Sequence, residues 1–286
     1  MLYYSTIQLL RFHFSFFLMP IFWFALSQTI NINVAHTVLV FIILHLLVYP
    51  ASNGYNSYMD KDTSSIGGIK NPKAPTRQLF YAAALMDTVA IILSYCISLY
   101  FFVGIIAYIL ASRAYSYRGI RLKKYPIVGY LTVVLFQGGL TYFLVAHGCS
   151  SNKTLQTPYL AIITACLLIG GFYPLTQIYQ HQQDKADGVN TISSKLGYKG
   201  TFVFTAAIYF LAMGCLGIYL ISSLQQKAFF IIQIFFIPII VNFVIWYIKV
   251  SKNVAAANYK NTMQMSLLAS ICSNAAFITL FIIEKS

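Results

Sequence analysis

Nine apolar segments, roughly 9–31, 34–57, 78–100, 103–117, 126–147, 157–180, 200–222, 228–249 and 262–283, take up most of this 286-residue chain. Most approach the ~20 residues needed to cross a hydrocarbon layer. Backbone groups find no water there, so each segment is predicted as a helix, which satisfies its own backbone. The fourth is short and is expected to tilt or to be partly buried. None alternates strictly between apolar and polar, as a lipid-facing barrel strand must. Composition agrees: 59% of residues are hydrophobic and 9% charged, with a mean hydropathy of +0.72. A soluble domain cannot cover its surface with so few charges. The expected fold is an all-α integral membrane protein, with nine transmembrane helices in one bundle and residues 1–286 as a single domain. The first run is too long for the core of a cleaved leader and lacks a small-residue cleavage site, so it reads as a span.

The basic residues give an orientation. Arg11, the link with Lys61, Lys70, Lys73 and Arg77, the link with Arg113, Arg118, Arg121, Lys123 and Lys124, and the links with Lys185, Lys195 and Lys199 and with Lys249, Lys252 and Lys260 fall on one side. Only Lys153, Lys227 and Lys285 fall on the other. Basic residues collect on the cytoplasmic side of membrane proteins, so the N-terminus is expected inside and the C-terminus outside. The net charge of +13 has the same explanation and implies no nucleic-acid partner. The five cysteines are spread singly, without CxxC or metal spacing, and read as small core hydrophobes.

Only six carboxylates occur: Asp60, Asp62, Asp87, Asp184, Asp187 and Glu284. Four stand in two links on the cytoplasmic side, after the second and sixth segments. If the second helix runs to Asp60, then Asn53, Asn56 and Asp60 share one face. Ser64 and Ser65 follow, then Gly67-Gly68, read as a flexible loop, and Pro72 and Pro75, which exclude regular helix. Gln177, Gln180, Asp184 and Asp187 are spaced to share a face of a continuous sixth helix. Hard oxygen donors of this kind suit Mg²⁺. Solvated helix ends are the plainer reading of either cluster alone. The concentration of carboxylates on one side favours a site. The basic link Arg113–Lys124 can clamp a phosphate or simply anchor the helices. His13, His36, His45, His147 and His181 show no ligand spacing. His45 reads as a hydrogen-bonded core residue, and His181 adjoins the second cluster. A transporter with midplane ion sites is disfavoured, because Asp87 alone lies within an apolar run.

These residues resemble the UbiA superfamily of intramembrane prenyltransferases, whose nine-helix fold carries Asp-rich motifs after helices two and six. The first motif, Asn-Asp-x-x-Asp-x-x-x-Asp, matches Asn56 to Ser64. Asn56 and Asp60 are kept, Ser57 and Ser64 replace carboxylates, and Asp62 is a possible shifted substitute. Asn71-Pro72 and Arg77 resemble the family's later Asn-x-Pro and Arg. The second motif, Asp-x-x-x-Asp, matches Gln180 to Asp184. Its continuation, Gly188-Val189-Asn190-Thr191-Ile192 and Leu196-Gly197, is closest to the menaquinone-type branch. The link with Tyr115, Ser116, Arg118, Arg121, Lys123, Lys124 and Gly129 resembles the family's diphosphate-binding link.

The resemblance implies Mg²⁺-dependent transfer of a prenyl group from an allylic (poly)prenyl diphosphate to an aromatic or other lipophilic acceptor, in a setting such as quinone biosynthesis. It implies Asp60 and Asp184 as catalytic carboxylates. Metal binding falls to Asn56, Asp60, Asp184 and Asp187, and diphosphate binding to Arg77, Arg118 and Lys124. The prenyl tail is expected in the apolar bundle, reached through a lateral opening to membrane lipid. The expected location is the bacterial inner (plasma) membrane with the site facing the cytoplasm. The alternative is a non-catalytic relative that binds isoprenoid diphosphates.

Overall fold

The computed structural model describes residues 2–61 and 64–285. Asp62 lies outside them. Regular structure among the described residues is helical, apart from isolated bridges joining Ile32 to Ser150 and Ile66 to Ile69. An interrupted pair, Tyr4–Phe17 and Met19–Ser27, forms α1. It is followed by α2 (Val34–Asp60), α3 (Arg77–Tyr95), α4 (Leu99–Ser116), α5 (Pro126–Cys149), α6 (Tyr159–Ala186), α7 (Ile192–Ser222), α8 (Gln226–Lys252) and α9 (Tyr259–Lys285). Eight are long and apolar enough to cross a membrane, and α1 makes a ninth if its two pieces form one span. Large apolar side chains stand in the open along them: Phe210 is 78% exposed, Leu85 66% and Ile234 64%. Such faces suit lipid and would be a liability in water.

The chain forms two compact units: Met1–Phe16, Thr29–Leu122 and Leu144–Leu155 make one, and Phe17–Gln28, Lys123–Phe143 and Gln156–Ser286 the other. In the first, Leu9, Leu10, Ile66, Ile69 and Leu79 form one apolar cluster, and Ala51, Tyr55 and Ala83 another. In the second, Phe24 stacks on Phe277 at 4.9 Å and meets Tyr142 at 5.1 Å. Phe202 meets Trp246 edge-on at 4.9 Å. Helix α5 approaches α6 closely at Gly138, where an added Cβ would lie 2.7 Å from Cys166 Cα. Only glycine fits that contact.

Several boundaries differ from the apolar runs. Helix α3 ends at Tyr95, and Ser98 accepts the Phe101 N–H at 3.1 Å to start α4. Residues 99–102 therefore belong to the fourth helix, which has 18 residues and is not short. Hydropathy misses the break because Cys96 and Ile97 are themselves apolar. Helix α1 is broken near Leu18, with Pro20 in the first turn of its second piece. Gly67-Gly68 is a tight turn: Ile66 and Ile69 exchange backbone hydrogen bonds of 2.9 Å, and both side chains are buried. Gly68 supplies the required φ of +82°.

The sixth helix corrects the expected second cluster. Pro174 removes a backbone donor, the regular helix stops at Thr176, a 3₁₀ turn spans Ile178–Gln180, and a short helix His181–Ala186 follows. Gln177, Gln180, Asp184 and Asp187 therefore do not share one continuous helical face.

Candidate active site

Helix α2 runs to Asp60, as the first cluster requires, and Lys61 closes it in the left-handed conformation. The last turn is tied to its neighbours by side chains from three segments of the same unit. Ser116 Oγ donates to Asn56 Oδ1 at 2.8 Å. Arg118 donates from Nε to Met59 O at 2.7 Å and from Nη2 to Asp60 O at 3.2 Å. A cation on the last carbonyls of a helix both completes their hydrogen bonding and opposes the negative end of the helix dipole. Arg121 Nη2 stands 3.6 Å from Asp60 Oδ1, and the two side chains are only 11% and 6% exposed. Asn53 contributes its carbonyl, which accepts from Arg11 Nη2 at 3.2 Å, while Arg11 Nη1 reaches Gly67 O at 3.3 Å.

The structure thus brings Asn56, Asp60 and Arg118 together and adds Arg121, Arg11 and Ser116. Arg121 is legible only as one of several cations in its link, because a left-handed turn at φ 50° sets its direction. Arg77 stands exposed in the first turn of α3.

In the second unit, the Asp184 side chain is partly buried and its backbone carbonyl accepts from Val189 N at 2.8 Å. Asp187 is exposed and closes the short helix, with Gly188 following at φ +65°. His181 does not face an open site: its Nε2 is 2.8 Å from Ser193 Oγ, and its ring lies 4.6 Å from that of Tyr198. Lys124 is exposed, its ammonium 5.0 Å from the Tyr125 ring centre. This unit also holds an apolar cavity of about 360 Å³ between the second piece of α1 and helices α6 to α9, with Ala206, Tyr209, Phe210, Phe243 and Phe277 on its walls.

Among the described residues, no group of three His, Cys, Asp or Glu side chains could hold a metal ion. Each unit instead offers one partly buried aspartate at a helix end, joined in the first by the Asn56 amide. Mg²⁺ commonly binds through one or two carboxylates and substrate phosphates. The donors described in either unit fit an ion that arrives with a diphosphate.

The sequence profile of the UbiA prenyltransferase family matches residues 16–268. The chain belongs to this family. No curated protein matches it by sequence. Solved UbiA structures do match its fold. The apo structure of a UbiA homologue from Aeropyrum pernix K1 superposes with a TM-score of 0.72 at 16% identity, covering 94% of this chain and 98% of that one. A UbiA homologue from Archaeoglobus fulgidus bound to GPP and Mg²⁺ gives 0.69 at 15% identity, covering 97% and 99%. The Archaeoglobus fulgidus homologue bound to DMAPP and Mg²⁺ gives 0.68 at 15%, covering 98% and 99%. The UbiA fold therefore extends over nearly the whole of this family member.

Proposed function

We propose that this protein is a prenyltransferase that moves a prenyl group from an allylic (poly)prenyl diphosphate to an aromatic or other lipophilic acceptor, with residues 1–286 acting as one catalytic domain. The observation that carries this reading is the end of α2, where the Asp60 carboxylate and the Arg121 guanidinium meet in a nearly closed setting and the exposed Arg118 caps the last carbonyls, in a chain of UbiA sequence and fold. Family relatives from Archaeoglobus fulgidus hold GPP or DMAPP with Mg²⁺, which supports the same donor class and metal here.

In the reaction, the allylic C–O bond breaks and its electron pair leaves with the diphosphate. An electron-rich carbon of the acceptor attacks the allylic cation and then gives up its proton to solvent or a base. Asn56 and Asp60 in the first unit, and Asp184 and Asp187 in the second, are the proposed Mg²⁺ ligands, each taken within its own unit, and Mg²⁺ when bound would neutralise charge on the departing diphosphate. Arg121 and, at the exposed rim, Arg118 would add positive charge where the leaving group gains it, with Arg77 and Lys124 as further exposed contacts. The apolar cavity in the second unit would take the prenyl tail. The run Gly188–Ile192 with Leu196-Gly197 makes a quinone-ring precursor the first acceptor to try. The charge asymmetry of the links supports a cytoplasmic site, and a bacterial inner membrane is the proposed location.

The test incubates purified protein with Mg²⁺, prenyl diphosphates of several lengths and a panel of aromatic acceptors, with products read by mass. Asp60→Ala and Asp184→Ala are each expected to abolish product. Wild-type turnover in both variants would eliminate the proposal. The scarcity of carboxylates favours one second reading, a non-catalytic relative. It would show metal-dependent binding of geranyl diphosphate and no product with any acceptor.

A further inference from the structure

An aspartate in the middle of a membrane helix needs a partner, and Asp87 has one whose position is unusual. Asp87 lies ten residues beyond Arg77, about 15 Å along the axis of α3 from its start. It is buried and ion-paired to Arg113 of α4. Arg113 is only three residues from the end of α4, where an arginine would ordinarily extend its charge outward to the membrane surface. Asp87 holds that charge inward instead. Held there, the guanidinium carbon lies 4.0 Å from the centre of the Tyr55 ring on α2. That is a cation–π contact in a largely buried setting, which strengthens it. Tyr55 is itself buried between α2 and α3, beside Ala51 and Ala83.

The next residue along α2 is Asn56, whose Oδ1 accepts from Ser116, one turn beyond Arg113. Two adjacent residues of α2 are therefore gripped by two residues three apart on α4. The charged grip is aimed by a third helix. Nothing in the sequence pattern marks Asp87 for this role.

Resting on the reading of Asn56 and Asp60 as donor-binding residues, we propose that Asp87 is a positioning residue for the last turn of α2, acting through Arg113 and the Tyr55 ring. The pair sets the register of α2 against α4, and so the direction in which Asn56 and Asp60 face. A buried ion pair replaced on both sides by apolar groups of similar size often leaves the fold intact, whereas loss of one partner strands a charge. The double replacement therefore separates positioning from stability.

The experiment uses the full-length protein in detergent and three variants: Asp87→Leu/Arg113→Leu, Ser116→Ala and Arg113→Lys. Three quantities are measured: the unfolding temperature, amide hydrogen exchange in residues 55–60 without ligand, and affinity for geranyl diphosphate with Mg²⁺. The double variant is expected to unfold near the wild-type temperature, to exchange at least tenfold faster in 55–60 alone, and to bind at least tenfold more weakly. Ser116→Ala should move the same two readouts less, and Arg113→Lys should recover part of the loss. Unchanged exchange and affinity in a folded double variant would overturn the proposal. So would a double variant that fails to fold, since the pair would then hold the fold as a whole. If wild-type protein does not bind geranyl diphosphate, the donor reading fails, and ligand-free exchange still decides whether the pair positions α2.

Discussion

Arg121 Nη2 lies 3.6 Å from Asp60 Oδ1, so the one aspartate that ends α2 already faces a cation before any ligand arrives. On the proposed function, a diphosphate carrying Mg²⁺ would offer each partner something better: a dication for the carboxylate and phosphate oxygens for the guanidinium. Arg121 would then turn from Asp60 to the leaving group, a role for which bidentate geometry suits arginine over lysine.

Arg121→Ala should accordingly weaken geranyl diphosphate binding about tenfold or more, roughly 1.4 kcal/mol. Arg77→Ala and Lys124→Ala should cost less, because exposed cations are screened by solvent. Titration of the three variants side by side checks the order. An Arg77→Ala loss equal to that of Arg121→Ala would contradict it.

The two aspartates of the second cluster should separate as well. Asp184 is partly buried just after a helical break, whereas Asp187 closes the short helix in the open. Asp184→Asn is expected to reduce turnover about a hundredfold or more, the scale of losing a preorganised electrostatic group. Asp187→Asn should retain most turnover and need more Mg²⁺ for half-maximal rate. Rates measured across a Mg²⁺ series distinguish the two.

Gly68 tests the hairpin behind the first cluster. Its φ is +82°, and an added Cβ would sit 2.5 Å from His13 Nε2, the atom that hydrogen-bonds Gly68 O at 3.2 Å. Gly68→Ala should destabilise the protein by about 1–3 kcal/mol through backbone strain and the displaced imidazole. Gly188→Ala, also at positive φ but with nothing within 4 Å, should cost less. Denaturant unfolding of both variants in one detergent gives the comparison.

The helix content was legible because lipid leaves the backbone a single way to pair, and runs of about 20 apolar residues are hard to mistake. The end of α2 was legible too, since Asn53, Asn56 and Asp60 recur at helical spacing. What escaped depended on local geometry that composition does not encode. Ser98 starts a helix inside a run that is apolar on both sides. Pro174 ends regular helix before the second cluster and breaks the spacing that would align Gln177 with Asp187. The partners of Asp60 and Asp87 are arginines 61 and 26 residues away along the chain, chosen by packing. Only Asn56 and Asp60 of the first motif could be placed by spacing alone.

A prenyl tail needs a continuous apolar volume, and the second unit has one of about 360 Å³ with walls almost wholly of hydrocarbon. Thr205, one of its few polar residues, donates its hydroxyl to Gly171 O at 2.8 Å and so presents little polarity to a ligand. Ala206 lies on the wall with its side chain in the open, so a larger residue can grow there without disturbing the packed helices. Ala206→Trp should leave turnover of a dimethylallyl donor near wild type, because so short a tail does not need the volume. Turnover of long donors should fall progressively with each isoprene unit, as the indole takes the space the later units would fill. Parallel rate ratios for short and long donors would place the tail elsewhere, whereas a ratio that diverges with length would assign this cavity to it.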